Sequence, residues 1–259
     1  MKIIAICNQK GGVGKTTTTV NLGSALQLKG KKVLLVDLDA QANMSTYLGF
    51  DPSEDESEEL ITMTSLMGAQ GRYPNPEEAI IHSEANNLDY IPSDIDLSAV
   101  ENQLLSAMSR ERILDKILKK EVFQKYDYIL IDCLPSLTLL LLNALTAADG
   151  IIIPVQAQKF ALDGLSSLND VIEQVKESLN EKLELIGVLP TMVDTTNMSK
   201  TTIEKLNERY GDKVFNTHIS KSVEAANSSE RMIALPLGKK TKLGEEYKSL
   251  ALEVLKRTK

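Results

Sequence analysis

Apolar runs with little polar interruption recur at residues 2–7, 33–37, 88–91, 128–132, 151–155 and 185–189, with a weaker one at 214–217. Runs this short and continuous are expected of parallel strands covered on both faces, because a half-solvated strand alternates instead. Between them the spacing turns helical: residues 15–29, closed by Gly30, then 109–120, 162–179 and 198–210. A last segment places Leu243, Tyr247, Leu250, Ala251, Val254 and Leu255 on one helical face. Packing against the sheet is the expected use of that face, with a membrane-surface helix as the alternative. Alternating strands and helices imply right-handed crossovers. The expected fold class is therefore α/β: a single-domain, doubly wound, mostly parallel sheet flanked by helices, spanning residues 1–259. Ligands of such sheets bind beyond the carboxyl ends of the strands, and Asp37 and Asp132 close two of the runs.

Length agrees with this picture, since 259 residues suit one large domain better than two. Hydrophobic residues make up 42% and aromatic ones only 4%, so the core is expected to be aliphatic. No run approaches the roughly 18 apolar residues of a membrane span, and the first residues carry no signal-peptide pattern. Two cysteines, Cys7 and Cys133, read as ordinary buried thiols of a reducing compartment, so a cytoplasmic location is expected. The net charge of −7 by itself argues against a nucleic-acid binder. Its distribution changes that: residues 1–190 carry 16 basic and 27 acidic side chains, whereas residues 191–259 carry 13 basic and 9 acidic. Any affinity for DNA must be local to the C-terminal third. Residues 51–59 are acidic or hydroxyl-bearing except at Pro52, and read as a solvated loop or, alternatively, an acidic docking site.

The candidate chemistry starts at residues 10–17, Lys-Gly-Gly-Val-Gly-Lys-Thr-Thr, between the first apolar run and the first helical stretch. That strand–loop–helix context is what a phosphate-binding loop requires. Gly11, Gly12 and Gly14 let the backbone curl so that successive N–H groups, including that of Val13, converge on an anion. Lys15 is expected at the β- and γ-phosphates, Thr16 on magnesium and Thr17 on an inner phosphate. Gln9 stands where the ordinary motif has its outer glycine, and a second lysine, Lys10, opens the loop. From the outer side its stem could reach a second molecule's nucleotide.

Three further segments accompany the loop: residues 37–43, Asp-Leu-Asp-Ala-Gln-Ala-Asn; residues 132–136, Asp-Cys-Leu-Pro-Ser; and residues 91–97, Ile-Pro-Ser-Asp-Ile-Asp-Leu. With the two-lysine loop they make the chain resemble the ParA/MinD family of deviant Walker-A ATPases, most closely its small Soj-type ParA members. The resemblance implies a P-loop fold, ATP and Mg2+ as ligands, and weak ATP hydrolysis unless a partner and DNA stimulate it. It implies that Lys10 contacts nucleotide across an ATP-bound homodimer and that Asp39 orients the attacking water near the metal. It also implies that Asp132 holds magnesium through water. Asp37 is either a further outer group or a strand cap. Thr191 and Met192 are adenine-contact candidates by family likeness alone.

The same resemblance implies non-specific DNA binding, with Lys221, Arg231, Lys239, Lys240 and Lys242 as candidates, and a ParB-like stimulating partner. A nucleoid-associated cytoplasmic partition ATPase is the leading expectation, without stable membrane association. The sequence departs from the family at Ala40 and Ala42, where proline and glycine are usual, at Leu134 and at Ser220–Lys221. No charged group is lost, so hydrolysis is expected to survive. The loop starts within ten residues of Met1, so an operator-reading N-terminal domain is not expected. The alternatives are a MinD-like membrane or cargo-positioning ATPase, an iron–sulfur reductase and a non-hydrolysing scaffold. The second of these would need two suitably placed cysteines.

Overall fold

The computed structural model describes residues 1–50, 60–158, 162 and 164–259. The acidic segment 51–59 lies outside the described residues. The strands are β1 (Lys2–Ile6), β2 (Val33–Leu38), β3 (Ile81–Ser83), β4 (Leu88–Ile91), β5 (Tyr128–Cys133), β6 (Gly150–Gln156) and β7 (Glu184–Thr191). They form one seven-stranded sheet in the order β3-β4-β2-β5-β1-β6-β7, parallel except where β3 pairs antiparallel with β4. Strands β1, β2 and β5 lie side by side in the middle, so their carboxyl ends share one edge.

The helices are α1 (Lys15–Gln27), α2 (Asn43–Tyr47), α3 (Met63–Gly68), α4 (Leu97–Leu104), α5 (Ile113–Leu118), α6 (Leu139–Ala147), α7 (Leu165–Ser178), α8 (Asn197–Tyr210), α9 (Glu224–Glu230) and α10 (Lys242–Arg257). Side chains alternate across β1: Ile4 and Ile6 enter a core with α1, α2 and α10, while Ile3 and Ala5 enter the opposite core with α3 to α8. This double cover explains why the strands read as unbroken apolar runs.

Two details differ from the sequence pattern. Residues 214–217 do not form a strand: Val214 makes an isolated bridge to Val188. Phe215 donates its N–H to the Val188 carbonyl at 2.9 Å, but α10 holds the groups on either side. Arg257 donates to the carbonyls of Lys213 and Val214 at 3.1 and 2.9 Å, and Glu253 accepts the N–H groups of Asn216 and Thr217 at 2.9 and 3.0 Å. The helical stretch from 109 opens instead with a 3-10 turn, Arg110–Arg112, before α5, because Ser109 adopts a left-handed φ of 52°.

The apolar face of α10 is in the core, with Leu243, Tyr247, Leu250, Ala251 and Val254 all at most 2% exposed. Burying each large apolar side chain contributes roughly 1.5–3 kcal/mol, so turning this face outward would forfeit much of a domain's stability. Among the described residues no helix is long and apolar enough to cross a membrane.

Candidate active site

The phosphate loop leaves β1 and enters α1 at the shared edge of the sheet. Gly12 and Gly14 have φ of 71° and 89°, in the left-handed region that disfavours side chains. A Cβ at Gly11, Gly12 or Gly14 would meet nothing within 4 Å, so the loop's inner face is open space. Gly14 also begins α1 without a side-chain cap, which leaves the helix's first N–H groups free for an anion.

Several side chains fix the loop's outline. Asn8 donates to the Pro154 carbonyl at 2.8 Å and accepts the Lys10 N–H at 3.0 Å. Gln9, which replaces the motif's outer glycine, donates to the Gly164 carbonyl at 2.6 Å. Thr191 is buried, and its hydroxyl donates to the Val13 carbonyl at 2.8 Å. That bond holds the loop, while the adjacent Met192, at φ 51°, lines the cleft.

The two lysines of the loop face different surroundings. Lys15 is 7% exposed and donates to the Lys10 carbonyl at 3.3 Å. Burial lowers its pKa, opposed by the nearby negative charge of Asp132. Lys10 is exposed on the outer rim. Below them Thr16 donates to one oxygen of Asp132 at 2.7 Å, and Thr19 donates to the other at 3.3 Å.

Three carboxylates converge on this end of the sheet. Asp132 sits opposite Asp37 in the β2–β5 register, both buried. Burial raises the pKa of both acids, and the nearby charge of Asp37 adds to the rise at Asp132. Asp37 clips the following loop: it accepts the Asp39 N–H at 3.1 Å, and the N–H and hydroxyl of Ser45 at 2.9 and 2.7 Å. It thereby caps the loop that leaves β2. Asp39 itself is partly exposed and lines the cleft.

The cleft has a volume of about 410 Å³. It gathers Gly11, Gly12, Gly14, Lys15, Thr16 and Thr17 with Asp39 and Met192, so most of the nucleotide-site candidates meet in one place. Val13 is buried behind the loop, and Asp132 lies beneath Thr16. Asn43 and Pro135, from two of the segments that accompany the loop, also line the cleft, as do Thr46, Tyr47 and Ser229, which the sequence pattern did not single out. Thr46 and Tyr47 follow Asp39 closely enough to have been suspected; Ser229 arrives from a distant helix and carried no local signal.

Cys7 and Cys133 are buried at the ends of neighbouring strands. Burial pushes the Cys7 thiol up to about 12, partly offset by Lys15, and raises Cys133 well above the usual range. Both are enclosed, so neither thiol reaches a surface where a cluster shared between two subunits would be ligated.

An AAA domain family profile matches residues 1–185. The sporulation initiation inhibitor protein Soj of Bacillus subtilis is 42% identical over 258 residues, covering 98% of this chain and 98% of that protein. The chain belongs to the ParA/Soj family of P-loop ATPases. The chromosome partitioning protein ParA of Caulobacter vibrioides is similar too, 40% identical over 262 residues, covering 99% of this chain and 95% of that protein. Among solved structures, cobyrinic acid a,c-diamide synthase of Mycobacterium smegmatis with bound ATP analogue and magnesium superposes with a TM-score of 0.85 at 31% identity. That match covers 100% of this chain and 96% of the other.

In this ParA/Soj chain the C-terminal cations divide. Arg231, Lys239 and Lys240 line a second cleft of about 570 Å³, together with Glu224 and Ser228. Lys221 and Lys242 are exposed but outside that lining, and Lys242 approaches Glu246 at 3.6 Å.

Proposed function

We propose that the chain is an ATP-dependent switch that dimerises, binds DNA non-specifically and drives DNA partition with a ParB-like stimulating partner. The observation that carries this reading is the division of labour between two lysines of one loop. Lys15 is buried against the chain's own phosphate cradle, while Lys10 stands exposed on the rim, where a second copy would present its nucleotide. The protein would act in the cytoplasm on the nucleoid, with no stable hold on membrane.

The reaction is ATP and water giving ADP and phosphate. The N–H groups of the loop and the positive end of α1 receive the phosphates. Lys15 balances negative charge on the transferring group, and Asp39, at the cleft wall, accepts a hydrogen bond from the attacking water and sets its direction. Asp37 holds Asp39 in place through the backbone. Thr16 and Asp132 fit a magnesium ion: both offer hard oxygens, they lie 2.7 Å apart, and the buried carboxylates beside them call for a cation. Bound there, the ion would neutralise phosphate charge.

Sedimentation with ATP, ADP and random-sequence DNA tests the reading. Wild type should form an ATP-dependent dimer that pellets with DNA, and Lys10→Ala should not. Dimerisation and DNA binding that ignore both nucleotide and Lys10 would remove it.

A further inference from the structure

The helix α9 is the wall between the two clefts. Ser229 lines the phosphate cleft, while Glu224, Ser228 and Arg231, from the same turns, line the basic cleft. On the phosphate side α9 touches α2, the short helix that follows Asp39. The contact is a hydrogen bond of 2.6 Å between the Tyr47 and Ser228 hydroxyls. Both residues are buried, Tyr47 at 3% and Ser228 at 6% exposed, so water does not compete strongly for it.

This bond belongs to a directed chain. Asn21, on the helix that starts from the phosphate loop, donates to the Thr17 carbonyl at 2.7 Å and to the Tyr47 hydroxyl at 3.4 Å. Ser228 donates onward to the Ala225 carbonyl at 3.0 Å, which leaves Tyr47 to donate to Ser228. The other end of the α9 region returns to the same Asn21 and to Asn86. Leu235 donates its N–H to Asn21 at 2.7 Å, and Ala234 donates its N–H to Asn86 at 2.8 Å. Met232, at a left-handed φ of 55°, closes the end of α9: its N–H donates to the Ser229 carbonyl and the Ile233 N–H to the Ser228 carbonyl, both at 3.1 Å, while Asn86 donates to the Met232 carbonyl at 3.0 Å. The segment thus has a fixed far end and a near end joined to α2 through Tyr47.

We propose that the Tyr47–Ser228 hydrogen bond transmits the nucleotide state from α2 to α9 and so sets how Arg231, Lys239 and Lys240 are presented to DNA phosphates. Tyr47 lines the phosphate cleft, so a nucleotide that seats Asp39 and α2 also seats its hydroxyl. A shift of α2 then pulls on Ser228 and α9 against the anchors at Met232, Ala234 and Leu235. Tyr47 and Ser228 are positioning residues in this scheme. The DNA part rests on the proposed function above; the coupling of α2 to α9 does not.

The test is amide hydrogen exchange across residues 224–241 at saturating ATP and magnesium, compared with saturating ADP, alongside DNA affinity in both states. In wild type, exchange in 224–241 should be slower with ATP. Ser228→Ala and Tyr47→Phe should each lose that difference, and should cut the ATP-to-ADP ratio of DNA affinities roughly fivefold to tenfold, the worth of one buried hydrogen bond. The double variant should be no worse than either single one. Ser228→Thr keeps the hydroxyl and should restore the response, which separates transmission from simple loss of packing. A nucleotide response in 224–241 that survives both Ser228→Ala and Tyr47→Phe, or is absent from wild type, overturns the coupling. A response that depends on the bond, in a protein that never binds DNA at low salt, would uphold the coupling and sink the DNA reading instead.

Discussion

At the scale of single residues the site separates groups that handle charge from groups that hold geometry. Lys15, buried beside Asp132, belongs to the first kind. Lys15→Ala should weaken ATP binding by roughly tenfold to a hundredfold, the range for losing a charge-assisted bond, whereas Lys10→Ala should weaken it far less. Calorimetric titration of the two variants distinguishes them, and equal losses would erase the proposed division. Asp37 belongs to the second kind. Its two oxygens accept three hydrogen bonds from Asp39 and Ser45, and an amide would offer one oxygen and oppose a donor with a donor. Asp37→Asn should therefore lower turnover about tenfold by loosening Asp39, while ATP still binds; single-turnover phosphate release measures it. The glycines, lysines and threonines of the loop were legible because the motif is contiguous. Thr191 entered only as an adenine-contact candidate by family likeness; nothing local announces that its hydroxyl serves Val13 across 178 residues of chain.

At the scale of elements the central strands were legible because double burial writes an apolar run, whereas β3, three residues long with only Ser83 fully buried, writes almost nothing. The weak run at 214–217 misled for the opposite reason: Val214 and Phe215 suggest a strand, but α10 claims the hydrogen-bonding groups that would extend the single bridge. Glu253 is central to that claim. Partial burial alone would raise its pKa, yet the N–H groups of Asn216 and Thr217, with Arg257 beside it, bring it below the usual 4.5. A depressed acid contributes stability that is present above its unfolded pKa and lost as pH falls through the folded one. The protein should therefore lose stability as pH drops below about 4.5. Glu253→Gln should cost about 1–2 kcal/mol at neutral pH, allowing for partial exposure, and should flatten that acid limb. Urea melts at several pH values give both quantities, and an acid limb as steep in the variant would assign it to other groups.

At the scale of the whole molecule an acidic body must approach a polyanion through one basic region. The net charge of −7 opposes that approach only within reach, and at about 0.1 M salt the screening length is about 10 Å. Arg231, Lys239 and Lys240 around a single cleft can therefore act as a local cation while acidic side chains farther away are screened. Each phosphate neutralised releases counterions, so the logarithm of DNA affinity should fall linearly with the logarithm of salt, with a slope near −0.9 per contact. Replacing Lys239 and Lys240 together by alanine should lower the magnitude of that slope by about 1.8. Lys242→Ala should change it less, because its ammonium already lies 3.6 Å from Glu246 and is partly neutralised before any DNA arrives. Anisotropy titrations of a random-sequence duplex with ATP across a salt series measure all three slopes. Equal slopes in wild type and the double variant would place the DNA contact elsewhere, and an equally large change in Lys242→Ala would show that the exposed lysines act as a diffuse field rather than through the cleft.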